Sequence, residues 1–77
     1  VYIAVIHYAG MEAGDNIVRA LGRIKFVVKS KTMRGENTEM AVEVFCNDPN
    51  VEFADRVRAV EGVQDVTLIQ YNGEYHG

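Results

Sequence analysis

Apolar and polar positions along this chain fall into six successive patterned stretches, and the clearest runs from Phe53 to Tyr71. Ala54, Val57 and Val60 recur at three-residue spacing between Phe53 and Glu61, while Asp55, Arg56 and Arg58 point away from that stripe. Gly62 supplies the left-handed residue that ends a helix. Beyond it, Val66 and Leu68 alternate with Asp65, Thr67 and Ile69 at the period of a strand. A helix, a glycine stop and a strand with no slack between them predict a helix lying on the sheet that its own strand joins.

The first stretch, Val1 to Tyr8, is dense in β-branched and aromatic residues and reads as a strand. Val1, Ile3 and Val5 fall on one side, Tyr2, Ala4 and Ile6 on the other, so both faces are apolar and the strand belongs in the middle of a sheet. Gly10 to Gly14 reads as a loop. Asp15 or a nearby residue caps a short helix with the core stripe Ile17, Ala20 and Leu21 and Gly22 as its stop. Ile24 to Met33 reads as a second strand, with Ile24, Phe26 and Val28 facing one way and Lys25, Lys29 and Lys31 the other. Arg34-Gly-Glu-Asn37 reads as a hairpin turn, and Thr38 to Cys46 as the returning strand. Met40, Val42 and Val44 share one face of that strand, with Glu39, Ala41, Glu43 and Phe45 on the other. The lysines and glutamates then meet across the hairpin, where each pair contributes roughly 0.2–1 kcal/mol. Asp48 caps the last helix with Pro49 in its first turn, or Asn50 does so one step later. Tyr71 to Tyr75 closes the chain with a turn.

The element order is therefore βαββαβ, an α+β domain. Right-handed crossovers place both helices on one face of a four-stranded antiparallel sheet of order 4-1-3-2. The first and third strands are expected to be central neighbours running parallel, which would set the two strand-to-helix loops side by side.

The chain has 77 residues, enough for one small domain spanning 1–77. A net charge of −3 and a pI near 5.2 argue against a nucleic-acid or anionic-membrane surface, since both need a basic face. The single cysteine, Cys46, excludes an internal disulfide and fits a reducing, cytoplasmic setting. No apolar run reaches the ~18 residues of a membrane span. Val1 begins inside an apolar strand without an initiator methionine, so the domain is expected to be a piece of a longer protein.

If the two loops adjoin, Gly10, Met11, Glu12, Asp15 and Asn16 would meet Asn47 and Asp48 in a ligand site. Helix N-termini there offer backbone N–H groups to an anion or a ligand carboxylate. The bland reading makes the acidic residues caps and the glycines turn residues. Glu12, Asp15 and Asp48 match no calcium-loop spacing. His7, Cys46 and His76 are the only soft metal ligands. Gly10-Met11 opens the loop as in heavy-metal carriers of this topology, but Ala13 and Asn16 stand where their cysteines would be, so no metal and no cofactor is expected. Phosphate-loop, dinucleotide and Ser-His-Asp signatures are absent, and the loop lacks the arginine of an acylphosphatase. A small enzyme using His7 with Glu12 or Asp48 is the least favoured reading. Glu39 and Glu43 would repel an RNA backbone from Phe45. Tyr2, Ala4 and Ile6 or their alternates, with Phe45, Ile69 and Tyr71, would form an apolar sheet face that the helices cannot cover, and such a face marks an interface.

With these elements in place, the chain resembles the ACT-like group of ferredoxin-like regulatory domains. Val60-Glu-Gly-Val63, followed by Val66-Thr-Leu-Ile-Gln-Tyr71, is similar to their passage from the second helix into the last strand. The resemblance implies a non-enzymatic domain that binds a small effector in the first loop and self-associates, although the usual Asp-x-Pro-Gly loop is not found in His7 to Asp15. Val28-Lys-Ser-Lys-Thr32, Glu39-Met-Ala-Val-Glu-Val44 and Leu68-Ile-Gln-Tyr-Asn-Gly-Glu74 also resemble the soluble C-terminal domains of certain uncharacterised bacterial membrane proteins. That likeness implies a cytosolic appendage tethered through a preceding part of the chain. The partners expected are a second copy or the rest of the same protein.

Overall fold

The computed structural model describes residues 1–46 and 52–70. Its first strand, β1 (Tyr2–Ala9), is the axis of the fold, because it pairs with a neighbour on each side. It is followed by α1 (Ala13–Leu21), β2 (Lys25–Arg34), β3 (Asn37–Phe45), α2 (Glu52–Arg58) and β4 (Val63–Gln70). The sheet order is β2-β3-β1-β4, the expected 4-1-3-2 read from the other edge, and each neighbouring pair is antiparallel. The expected parallel pairing of β1 with β3 is therefore incorrect. A right-handed crossover through α1 makes β2, not β3, parallel to β1, and the hairpin then reverses the chain into the gap between them.

Alternation along β1 assigns its two faces. Ala4, Ile6 and Tyr8 are buried towards the helices, so it is Ile3, Val5 and His7 that lie on the open face. On β3, Met40, Val42 and Val44 join the core while Glu39, Ala41, Glu43 and Phe45 look outward. Ala13, Ile17 and Leu21 from α1 and Phe53, Ala54 and Val57 from α2 complete the core. Tyr2 meets Phe53 at a centroid distance of 6.2 Å, and the Arg56 Nε–H donates to the Ala20 carbonyl at 2.9 Å, fastening α2 to the end of α1.

The helix caps differ from the sequence reading. Glu12 occupies the N-cap of α1 without a side-chain hydrogen bond, and Asp15 lies inside the first turn. Gly22, at φ 66°, ends α1 as expected. The regular part of α2 stops at Arg58, three residues before Glu61, with Gly62 beyond it at φ 97°. The expected caps Asp48 and Asn50, with Pro49, lie outside the described residues, as do Tyr71, Tyr75 and His76.

The β2–β3 hairpin turns on Gly35 and Glu36, Gly35 having φ 63°. An irregularity between Val28 and Ser30 leaves Lys29 as an extra residue: Val28 pairs with Val42, and Ser30 with Ala41. Beyond this bulge the parity of β2 changes, so Lys31 pairs with Met40 on the helix side. The three lysines therefore do not share a face. Among the described residues only Lys29 reaches a glutamate, its Nζ lying 3.7 Å from Glu43, while Lys25 sits over the Phe45 ring at 5.7 Å. Among the described residues no helix is long and apolar enough to cross a membrane.

Candidate functional site

The antiparallel register moves the expected site. Tyr2 pairs with Val44 and Ala9 with Asn37, so the end of β1 adjoins the start of β3. Gly10 and Cys46 consequently stand at opposite ends of the sheet, about 25 Å apart at ~3.3 Å per strand residue. The first residue of the second loop is thus far from Gly10, while Asn47 and Asp48 lie outside the described residues. Cys46 itself packs partly buried against the core.

The partner of the β1–α1 loop is instead the turn between α2 and β4. The Ala9 N–H donates to the Gly62 carbonyl at 2.9 Å. Gly62 is held so close that a Cβ on it would lie 2.4 Å from the Ala9 carbonyl oxygen and 3.2 Å from the Ala13 Cβ. Only a glycine accepts both that approach and φ 97°. Gly10, Met11, Glu12 and Asn16 then converge with Glu61 and Gly62 on one open depression at the start of α1. The α1 ladder begins with the Asn16 N–H bonded to the Glu12 carbonyl at 3.1 Å. Asp15, with Gly10, Met11 and Gly14, instead borders a second groove between α1 and β2. Glu61 and Gly62 were missed in the sequence, although the antiparallel rule for β1 and β4 would have brought them to Gly10.

A polar row crosses the open face at the same end of the sheet: Thr32, Glu39, His7 and Asp65, one from each strand. The His7 Nδ1 lies 2.6 Å from the Asp65 Oδ1, and its Nε2 3.4 Å from the Glu39 Oε1. The hydrogen bond to Asp65, with the negative charge of both carboxylates, raises the imidazole above its ordinary 6.5 against a smaller opposing effect of desolvation. His7 is thus engaged by Asp65 and Glu39; of the two acids in the enzyme reading, Glu12 is not among its partners and Asp48 lies outside the described residues. Beside it, the Gln64 Nε2–H donates to the Asn37 Oδ1 at 3.0 Å, bridging β4 to β3 across the end of β1. Among the described residues no group of three His, Cys, Asp or Glu side chains is arranged to hold a metal ion.

The upper part of the open face is apolar. Ile3, Val5, Ala41, Val27, Phe45 and Ile69 share it by register, with Phe45 and Ile69 40% and 46% exposed. Of the three expected interface residues, Phe45 and Ile69 therefore share the open face on either side of β1, and Tyr71 is outside the described residues.

The strand order, the antiparallel pairing and the two helices on one face define a ferredoxin-like α+β domain. The solution NMR structure of the ACT domain from GTP pyrophosphokinase of Chlorobium tepidum matches with a TM-score of 0.69 at 12% identity, covering 99% of this chain and 92% of that one. The crystal structure of that domain matches with a TM-score of 0.57 at 14% identity, over 88% of this chain and 95% of that one. At such identities the likeness is one of fold. No protein-family model matches the chain. No curated protein matches it either.

Proposed function

We propose that this chain is a non-enzymatic regulatory domain that senses a small effector at the β1–α1 loop and associates through its open sheet face. The observation that carries the reading is the junction of that loop with the α2–β4 turn. Gly10, Met11, Glu12 and Asn16 gather around the Ala9–Gly62 hydrogen bond, where the cap of α1 makes no side-chain hydrogen bond of its own. A ligand there touches two connections of the fold at once, which is what a sensor needs to pass on its occupancy. The likeness of fold to an ACT domain supports the same reading. The partner is a second copy or the rest of the same protein, and a membrane tether on the cytosolic side fits the resemblance noted in the sequence. No cofactor enters this reading.

The test is an amide-resolved NMR titration with pooled amino acids, nucleotides and divalent cations. Saturable shifts gathered at residues 10–16 and 61–62 are expected. A second reading, a purely structural oligomerisation domain, is favoured by the exposed Phe45 and Ile69. It predicts a silent loop together with concentration-dependent shifts on those two residues.

A further inference from the structure

The helices do not cover the whole sheet. α1 packs on β1 and α2 on β4. The inner face of edge strand β2 extends past both, with Val28 and Met33 exposed on it. A groove runs between this uncovered strip and α1. Tyr8 and Met40 form its floor, Val18 its α1 wall, and Val28 and Met33 its β2 wall. Met11, in the β1–α1 loop, borders it. All three methionines of the chain line this one groove. Met11 is 98% and Met33 69% exposed, far more solvent contact than a folding role requires. Flexible thioethers suit a surface that reshapes around an apolar guest. The space, about 420 Å³, falls in the range of small-molecule sites.

Charge defines the guest further. Were Lys29 paired with Ala41 in regular alternation, Lys31 would stand on the open face with Lys25; because the pairing skips Lys29, Lys31 faces the groove opposite Met40. Bulges commonly serve to re-aim a side chain in this way. Lys31 makes no ion pair among the described residues, so its ammonium is available to an incoming anion. Asp15, on the α1 side, is the only acidic side chain among the described residues that line the groove. It repels a second negative group and leaves the β2 side as the place for a single anionic head. A nucleotide, with several charges and a polar body, fits neither wall.

We propose that the groove between α1 and β2 binds a small amphiphile with an aliphatic or aromatic body and one anionic head. The head pairs with Lys31 and the body lies on Met11, Val18, Val28 and Met33. This rests on the sensing reading, since Gly10 and Met11 belong to both places, and it names the chemical class of the effector.

The experiment uses the full chain with methyl-labelled methionine, titrated with octanoate, octylammonium and octanol. Octanoate is expected to give saturable shifts at the Met11, Met33 and Met40 methyls and at the Val18, Val28 and Lys31 amides. Lys31→Glu should weaken that binding at least tenfold, and Lys31→Arg should retain it. The side chain is exposed, so both variants are expected to keep the wild-type spectrum elsewhere. Equal binding of octylammonium or octanol overturns the assigned head group. Shifts confined to Phe45 and Ile69 overturn the groove itself. Silence towards octanoate alongside saturable loop shifts from the amino-acid or nucleotide pool sinks the ligand class and leaves the sensor reading; silence towards all of them sinks both.

Discussion

His7 and Gly62 show how much one residue can bind together in a domain of this size. His7 lies on a partly solvated face between Asp65 and Glu39, and its protonated form is the one those carboxylates favour. Its pKa is raised on folding, so its contribution to stability is fully present below the unfolded value of 6.5 and is lost as pH rises through the higher folded value. A comparison with His7→Gln by urea unfolding should therefore show the widest gap between about pH 5 and 6.5, where the carboxylates are still ionised. The gap should narrow at higher pH, and one that stays constant across the range would show that the ion pairing adds nothing. Gly62 acts through shape. A methyl group there collides with the Ala9 carbonyl at 2.4 Å and must also adopt φ 97°. Gly62→Ala should destabilise by roughly 2–3 kcal/mol in chemical denaturation. Gly10→Ala, with φ 104° and open space around it, should cost less, because only the backbone conformation is strained.

At the level of elements, β2 is where the sequence pattern and the structure part company. Periodicity located all six elements within a residue or two for the strands, because apolar alternation in β1, β3 and β4 reflects a sheet buried on one side. β2 is exposed along nearly its whole length, so burial imposes no alternation on it, and nothing in Val28-Lys29-Ser30 announces an extra residue. The candidate site was half legible for a related reason. Gly10, Met11, Glu12 and Asn16 are neighbours in sequence and stay neighbours in space. Glu61, Gly62, and the pairing of His7 with Asp65 58 residues away depend on strand direction and register, which no local pattern encodes. The bulge permits a sharp test. Deleting Lys29 leaves every strand partner across the hairpin as before, since Val28 already faces Val42 and Ser30 already faces Ala41. The deletion variant should fold with Lys31 still opposite Met40, read as cross-strand nuclear Overhauser effects. Its stability should fall by no more than about 1 kcal/mol from loss of the Lys29–Glu43 pair. Loss of the Lys31–Met40 contact would mean that the bulge holds the register rather than adjusting it.

Over the whole molecule, the two faces of the sheet differ in burial and polarity. The helix side holds Phe53, Ile6, Ile17, Leu21, Val42, Val44 and Val57 almost fully out of water, and this is the bulk of what stabilises the fold. The open side divides into an apolar end with Phe45 and Ile69 and a polar end with His7, Glu39 and Asp65. Association through the apolar end predicts a sedimentation coefficient that rises with concentration. In Ile69→Glu that rise should be suppressed while the circular dichroism spectrum is unchanged, because Ile69 is outside the core. A concentration-independent wild type would remove the face from consideration as an interface.

The bond from the Ala9 amide to the Gly62 carbonyl turns one proton into a gauge of the whole junction. In heavy water that amide can trade its hydrogen only when the loop before α1 and the turn before β4 move apart. A guest lodged in either depression would slow the trade without touching Ala9, and a guest that wedges the two connections open would hasten it. The sign of that change distinguishes an effector that stiffens this end of the sheet from one that loosens it.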